Sequence, residues 1–514
     1  MCDQLRADYL SCYGHPHLHT PNIDRLAQEG VLFSHVYVQS PICGPSRMST
    51  YTGRYMFTHG STWNNYPLPI GEMTMGNYLR PLGKRVALVG KTHMRADLEG
   101  MARLGIDPES EMAQLILQGG FEPYERDDGL HPDPIVAPGL SYNEYLKAAG
   151  YDSDNPWQNH ANSALDPDGK LLSGWYMRHA SQPANIKAED SETPYMTRRA
   201  KHFIEAAGDE SWCLHLSYIK PHWPYIVPAP YHDMYGPKHI LPAQRHKAER
   251  QNPHPVYAAY MKNRESQAFQ RDEVRQTVIP AYMGLIKQID DSIGDLMHFL
   301  EEAKKVEETL IVFTSDHGDY LGDHWLGEKD LFHEPSVRIP LIIRDPSASA
   351  DVTRGHVEDR LVESIDLLPT FLEIAGGAPQ PHRLEGRSLL PLLQGESVFD
   401  WREIAVSEVD YSGRETRVTL NLPPAECRAT MIRNMDWKYI LHEQFAPQLF
   451  DLQNDPHEYY DLGTDSAYKA IRRDLHEQLF RWFRQRKTRV TISEEEIPIE
   501  TENPEKHGYL IGYW

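Results

Sequence analysis

Four short apolar segments that stop abruptly at polar residues constrain this fold more than any other feature of the sequence. Continuous apolar segments, rather than strict alternation, are typical of strands buried on both faces of a parallel sheet. The segments and the first polar residues after them are Met1-Cys2 before Asp3, residues 85–90 before Lys91, residues 212–218 before Lys220, and residues 309–315 before Asp316.

Helical patterns separate these segments. The clearest covers residues 282–300, where apolar side chains in steps of four and three form one stripe (Tyr282, Ile286, Ile289, Ile293, Leu296 and Leu300). This alternation predicts an α/β fold with a mostly parallel central sheet and helices on both faces. Because ligands bind beyond the carboxyl ends of such strands, we expect the polar residues to form one site.

After about residue 395 the pattern changes to short strands separated by turns. Strands are predicted at residues 404–409, 429–433, 437–442 and 448–452, followed by an amphipathic helix over residues 466–487. We therefore predict an α/β domain over residues 1–395 and a C-terminal subdomain over residues 396–514, with a small antiparallel sheet, a helix and a tail. The aromatic tail, residues 508–514, either frays or docks on another surface, such as a second copy of the chain.

Charge and hydropathy exclude two classes of partner. The chain of 514 residues has 52 Lys+Arg against 74 Asp+Glu, a formal charge of 52 − 74 = −22, which repels nucleic acid and anionic membrane surfaces. Mean hydropathy is −0.58, and no apolar run reaches the roughly 18 residues needed to cross a bilayer. We expect neither a nucleic acid nor a membrane as partner.

The cysteines and the first residues bear on location. Five scattered cysteines are too few for a disulfide framework, and no secretory signal is visible, so we expect a cytoplasmic protein. Residues 1–4 read as the end of a strand, which suggests that the natural chain begins further upstream. A longer N-terminus would overturn the expected location.

Cys43-Gly44-Pro45-Ser46-Arg47 is the strongest chemical motif. At average residue usage, Cys-x-Pro-Ser-Arg occurs by chance in about one chain in a thousand of this length. Pro45 fits the first turn of a helix, and Met48, Tyr51 and Tyr55 continue at helical spacing. Cys43 is therefore expected at a helix N-terminus, a position that favours anions.

This motif, followed by Thr52-Gly53-Arg54, resembles the signature of type I sulfatases, which belong to the alkaline phosphatase superfamily. The resemblance extends to residues 20–27, 90–93, 220–224, 314–318 and 449–458. It implies that a separate maturase oxidises Cys43 to Cα-formylglycine, whose hydrated aldehyde attacks the ester. A covalent sulfo-enzyme intermediate would follow.

A sulfate ester is a poor, negatively charged electrophile, so its hydrolysis calls for a divalent cation near the nucleophile. Asp3, Asp316 and His317 are the predicted metal ligands, with Gln4 as a neutral oxygen donor and the modified Cys43 completing the set. Oxygen ligands suit Ca²⁺ and an imidazole favours Mn²⁺, so the prediction is one ion, either Mn²⁺ or Ca²⁺.

The resemblance also implies roles for the basic residues. Lys91 and Lys329 would hold the sulfate oxygens, and Arg47 would support the formylglycine. A protonated His222 would assist the leaving oxygen, and His93 would take a proton from the second hydroxyl of the hydrated aldehyde.

Departures from the common sulfatase pattern leave the substrate open. Three segments resemble those of phosphonate monoester hydrolases in the same superfamily: Asp3-Gln4, Asp316-His317 and the segment that contains Asn64. We expect the Asn64 side chain to reach the substrate. By contrast, Lys91 and His93 are the residues typical of sulfatases at these two positions, where phosphonate hydrolases tend to have Tyr and Thr. The first prediction is hydrolysis of aryl or alkyl sulfate monoesters. The alternatives are a phosphonate monoester or phosphodiester hydrolase, and a binding protein with an unmodified thiol.

Overall fold

The computed structural model describes residues 1–501 together with Gly508 and Leu510. Its strands are, in chain order, β1 (Cys2–Asp3), β2 (Val31–Tyr37), β3 (Arg85–Gly90), β4 (Glu122–Arg126), β5 (Ser163–Leu165), β6 (Leu171–Ser173), β7 (Pro183–Ala184), β8 (Trp212–Pro221), β9 (Val227–Pro228), β10 (Ile311–Thr314), β11 (Arg338–Arg344), β12 (His356–Glu363), β13 (Ala405–Asp410), β14 (Arg428–Arg433), β15 (Trp437–His442) and β16 (Gln448–Asp451).

The α-helices share the same chain order and separate most of these strands. They are α1 (Pro21–Glu29), α2 (Cys43–Thr52), α3 (Met56–His59), α4 (Met75–Leu79), α5 (Leu98–Arg103), α6 (Glu111–Leu117), α7 (Ser141–Ala148), α8 (Glu192–Ala207), α9 (Pro255–Tyr260), α10 (Arg264–Phe269), α11 (Asp272–Glu302), α12 (Glu334–Val337), α13 (Leu367–Ile374), α14 (Leu390–Leu393), α15 (Glu415–Leu420), α16 (Lys469–Arg484) and α17 (Glu496–Thr501).

The central sheet consists of two four-stranded halves. One half has the order β4-β3-β8-β1 with every pair parallel, and the other has the order β10-β11-β2-β12. A parallel bridge between Cys2 and Ser315 joins them, and β11 runs antiparallel to both of its neighbours. The predicted mostly parallel α/β sheet is confirmed, and β1, β3, β8 and β10 end at the same edge.

Helices cover both faces of this sheet, as predicted. Successive residues of β3 point to opposite sides: Leu88 packs with Met48 and Tyr51 of α2, whereas Val89 joins the core that contains α11. The predicted apolar stripe over residues 282–300 lies within the longer α11, and Ile286 and Ile289 there are fully buried.

The carboxyl ends of β8 and α2 differ from the prediction. The strand expected at residues 212–218 continues to Pro221, which pairs with Asp3 at the very end of β8, where a proline's missing N–H costs least. Helix α2 begins at Cys43 as expected but ends at Thr52, because Gly53 adopts a left-handed conformation with φ of 66°. Tyr55 therefore lies outside α2 and precedes α3.

The short β1 joins the two halves of the sheet only near its carboxyl end. A cavity of about 790 Å³ lies next to β1. It is lined by apolar side chains of β8 and β10, such as Leu214 and Phe313, and by Met297 of α11. The Met1 ammonium donates to the carbonyl of Leu216 beside this cavity.

The C-terminal region forms a separate antiparallel sheet, as predicted. Its order is β13-β14-β15-β16, and Leu475 and Leu479 of α16 pack with Val406 and Ile432 of the sheet. The predicted boundary at residues 395 and 396 stays a prediction. Apart from Gly508 and Leu510, the aromatic tail lies outside the described residues, so its fraying or docking stays open. None of the described helices combines the length and apolar character needed to cross a membrane.

Because α16 packs on the C-terminal sheet, its buried side chains should contribute to the free energy of unfolding and its exposed ones should not. Leu475 is 1% exposed, so Leu475→Ala should leave a cavity and lower the free energy of unfolding by about 2–5 kcal/mol. Phe480 on the same helix is 58% exposed, and Phe480→Ala should change it by less than about 0.5 kcal/mol. Urea denaturation monitored by fluorescence measures both; equal losses would contradict the described packing.

Candidate active site

Four side chains from three separate elements form a buried cluster at the carboxyl edge of the sheet. They are Asp3 at the end of β1, Cys43 at the start of α2, and Asp316 and His317 after β10. Their ligating atoms all lie within 4.8 Å of one another, and the described residues contain no second cluster of this kind. Sγ of Cys43 lies 3.0 Å from Nε2 of His317 and 3.8 Å from Oδ1 of Asp3.

The donor atoms of this cluster fit a divalent metal ion. Both carboxylates are almost completely shielded from solvent, a position that requires compensating positive charge. Burial alone would lower the pKa of His317, but Asp316 and Cys43 raise it to about 9, so the surroundings favour a positive charge here. Carboxylate oxygens with one imidazole suit Mn²⁺, and the oxygen donors suit Ca²⁺.

Arg47 links the two carboxylates directly. It follows Cys43 by one helical turn, so both side chains project from the same face of α2. Its Nε donates to Oδ2 of Asp316 at 2.8 Å, and its Nη2 donates to Oδ2 of Asp3 at 3.2 Å. Nη1 donates to Oγ of Ser217 at 2.7 Å, which fixes the guanidinium against β8. Arg47 thus compensates the buried carboxylates and is itself fully buried.

Two buried lysines add positive charge around Cys43. Nζ of Lys91 lies 2.6 Å from Oδ2 of Asp3. Nζ of Lys329 donates to Oε1 of Gln4 at 2.9 Å. Burial alone would raise the pKa of the Cys43 thiol, but Lys329, His317 and Lys91 lower it well below its usual range. The position therefore favours an anionic group.

His222 lies beside the cluster and is almost fully buried. Its Nε2 lies 3.4 Å from Nζ of Lys329 and 4.0 Å from Oδ1 of Asp3, so the ring faces the cluster. Burial, together with Lys329 and Lys91, lowers its pKa to about 4, against the attraction of Asp3. These surroundings disfavour the protonated imidazole expected from the sequence, and the role of His222 at the leaving oxygen stays a prediction. The sequence reveals the residue but not the depth of its burial.

Gln4 lies beside the cluster in an ordered network. Its Oε1 accepts from Lys329, and its Nε2 donates to Oδ2 of Asp319 at 2.5 Å. Asp319 also accepts from the hydroxyl of Tyr225 at 2.6 Å. The side-chain oxygen of Gln4 is thus engaged by Lys329, and its role as a metal ligand stays a prediction.

His93 and Asn64 lie at the beginning of α2. Oδ1 of Asn64 accepts from the backbone N–H of Gly44 at 2.8 Å. The carbonyl of His93 lies 3.5 Å from where a β-carbon on Gly44 would stand, and its backbone N–H donates to Asp128. Nδ1 of His93 is buried without a hydrogen-bond partner among the described residues. Both residues adjoin Gly44, the residue after Cys43, and their catalytic or substrate-binding roles stay predictions.

Sequence reasoning missed three residues that orient the site. Ser217 holds Arg47, Asp319 holds Gln4, and Asp128 holds the backbone of His93. Asp319 follows the Asp316-His317-Gly318 segment directly, so its proximity to the motif was a usable signal. Ser217 and Asp128 are single polar residues whose partners lie far away in the sequence.

Two family models match the chain. The model described as Sulfatase matches residues 1–107 and 140–378. The model described as N-sulphoglucosamine sulphohydrolase, C-terminal, matches residues 322–485. Together they extend from β1, which carries Asp3, to α16.

Individual proteins match over nearly their whole length. The multifunctional alkaline phosphatase superfamily protein PehA of Trinickia caryophylli is 32% identical over 504 residues, with 93% of each chain covered. The N-acetylglucosamine-6-O-sulfatase of Bacteroides thetaiotaomicron is 26% identical, with 92% of this chain and 84% of that protein covered. The solved phosphonate monoester hydrolase of Silicibacter pomeroyi is 28% identical, with a TM-score of 0.83 and 96% and 97% coverage.

These matches confirm the resemblance drawn from the motifs around Cys43 and Asp316. They cover the strands that supply the clustered carboxylates as well as the C-terminal sheet. The chain belongs to the Sulfatase family and is an ester hydrolase of the alkaline phosphatase superfamily.

Proposed function

We propose that this enzyme hydrolyses aryl or alkyl sulfate monoesters with a formylglycine nucleophile derived from Cys43. The observation that carries the proposal is the position of Cys43 at the N-terminus of α2, against Asp3 and His317, where two buried lysines lower the pKa of its thiol. A residue in this position can attack an anionic ester while the lysines offset the negative charge of the group being transferred. The proposal includes a separate maturase as a partner, because the oxidation of Cys43 requires one.

The proposed cofactor is one Mn²⁺ or Ca²⁺ ion. Asp3, Asp316, His317 and the modified residue 43 would hold it, with Gln4 as a candidate fifth ligand. When bound, such an ion polarises the ester oxygens and favours the ionised form of the nucleophilic hydroxyl. Arg47 would keep both carboxylates ionised and oriented through its bonds to Asp3 and Asp316.

The proposed proton transfers involve Lys329, His222 and His93. Lys329 and His222 lie 3.4 Å apart, and together they would supply a proton to the leaving oxygen. Because the pKa of His222 is low, Lys329 is the protonated member of this pair. His93 would accept the proton of the second hydroxyl of residue 43. This proton transfer would expel sulfate and restore the aldehyde.

Sulfate is our first choice of substrate because Lys91 and His93 occupy positions where phosphonate hydrolases tend to have Tyr and Thr. A phosphonate monoester or phosphodiester is the second candidate. It is supported by the TM-score of 0.83 with the phosphonate monoester hydrolase of Silicibacter pomeroyi and by the Asp3-Gln4 and Asp316-His317 pairs. Cleavage of such esters is expected as a side activity of the same site.

The state of residue 43 is the first test. In protein produced with an active maturase, the peptide containing residue 43 should lose one sulfur and two hydrogens and gain one oxygen, as read by mass spectrometry. Cys43→Ala should lower kcat by several orders of magnitude, because it removes the nucleophile. Cys213→Ala, a half-buried cysteine on β8, serves as the control and should retain activity. An unmodified thiol in fully active enzyme would contradict the proposal.

The substrate is tested with an aryl sulfate and an aryl phosphonate monoester that carry the same leaving group. We expect kcat/KM to be higher for the sulfate by about tenfold or more, equivalent to about 1.4 kcal/mol of differential transition-state binding. A Lys91→Tyr/His93→Thr variant should lose more activity toward the sulfate than toward the phosphonate. A wild-type preference for the phosphonate would contradict the sulfate assignment and favour the second candidate.

A further inference from the structure

The loop that carries Lys329 has a strained backbone. Glu328 and Asp330, on either side of Lys329, have φ values of 64° and 90°, a region that non-glycine residues seldom adopt. Such conformations persist only where the surrounding structure holds them in place. Lys329 contacts Gln4 and faces His222 in the site. The residues that hold this loop therefore also determine where the Lys329 ammonium lies.

The C-terminal region contacts this loop at three successive points. The guanidinium of Arg414 forms an ion pair with the carboxylate of Asp330. Nζ of Lys438 on β15 donates to the carbonyl of Phe332 at 2.7 Å. The carboxylate of Glu458 accepts from the backbone N–H of residue 334 at 2.8 Å. Lys438 and Glu458 also pair with each other at 2.6 Å, so the last two contacts share one buried charge network.

Arg414 contacts a second part of the site as well. Its guanidinium lies over the ring of Trp63, 5.1 Å from the ring centroid. The preceding Gly413 packs so closely that a β-carbon there would lie 2.8 Å from Nε1 of Trp63. Trp63 precedes Asn64, which bonds the N-terminus of α2 beside Cys43. One side chain thus touches the neighbours of both Lys329 and Asn64.

We propose that Arg414, which lies outside the predicted catalytic domain, is a positioning residue for Lys329. It acts through its ion pair with Asp330, and the contacts of Lys438 and Glu458 fix the other end of the loop. The inference rests on the role of Lys329 in the proposed function. The active site is then completed by the C-terminal region, and does not belong to the α/β domain alone.

Arg414→Gln tests this inference, because it removes the charge and keeps a polar side chain. We expect kcat/KM for an activated aryl sulfate to fall by about 10- to 100-fold, the usual effect of losing a residue that orients a functional group. The matched control is Arg428→Gln, at the start of β14, where an exposed arginine lies over Phe57 and has no described contact with residues 328–334. Its kcat/KM should stay within about twofold of the unchanged enzyme.

A double-mutant cycle with Lys329→Met separates positioning from a general structural effect. If Arg414 acts through Lys329, Arg414→Gln should lower kcat/KM much less in the Lys329→Met background. An equal loss in both backgrounds, or an Arg414→Gln enzyme as active as the Arg428→Gln enzyme, would overturn the inference. Should Arg414→Gln fail to fold, the isosteric Asp330→Asn replaces it with the same expectations.

The cycle also distinguishes this inference from the proposed function. Full activity of the Lys329→Met enzyme would contradict the role of Lys329 in catalysis and, with it, the inference. A strongly impaired Lys329→Met enzyme beside a normal Arg414→Gln enzyme would leave the proposed function standing and contradict the inference alone.

Discussion

The site depends on the interaction of the buried Arg47 guanidinium with the carboxylates of Asp3 and Asp316. Asp3 and Asp316 come from strands that meet at the centre of the sheet, and two shielded carboxylates this close would repel each other without positive charge between them. Arg47 contacts both carboxylates from a position one turn after Cys43 on α2, on the same face of the helix. The helix that neutralises the carboxylates therefore also sets the position of Cys43, the proposed nucleophile.

Local sequence patterns predicted much of the fold. The apolar segments at residues 85–90 and 309–315 and the stripe along α11 correspond to elements of the structure, because continuous burial and helical periodicity are properties of neighbouring residues. The four C-terminal strands were predicted for the same reason. The end of α2 was misjudged because periodicity continued to Tyr55, whereas the left-handed Gly53 stops the helix.

The site was predicted less completely, because its remaining features depend on distant contacts. Motifs brought Asp3, Cys43 and Asp316 together correctly as neighbours. The low pKa of His222 depends on burial and on lysines from two other loops, which no local pattern reveals. The ion pair of Arg414 with Asp330 joins residues 84 positions apart and lies in no motif. Through it, the C-terminal region contacts the loop that carries Lys329.

The central claim is that Asp3, Asp316, His317 and residue 43 surround one metal ion. Anomalous X-ray diffraction from crystals grown with Mn²⁺ tests it most directly, because the scattering locates the ion independently of any assumed mechanism. We predict one strong peak within bonding distance of both carboxylates and of the His317 imidazole, and its loss in an Asp316→Ala variant. A peak elsewhere, or none in this cluster at saturating Mn²⁺ or with Ca²⁺ in its place, would contradict the claim.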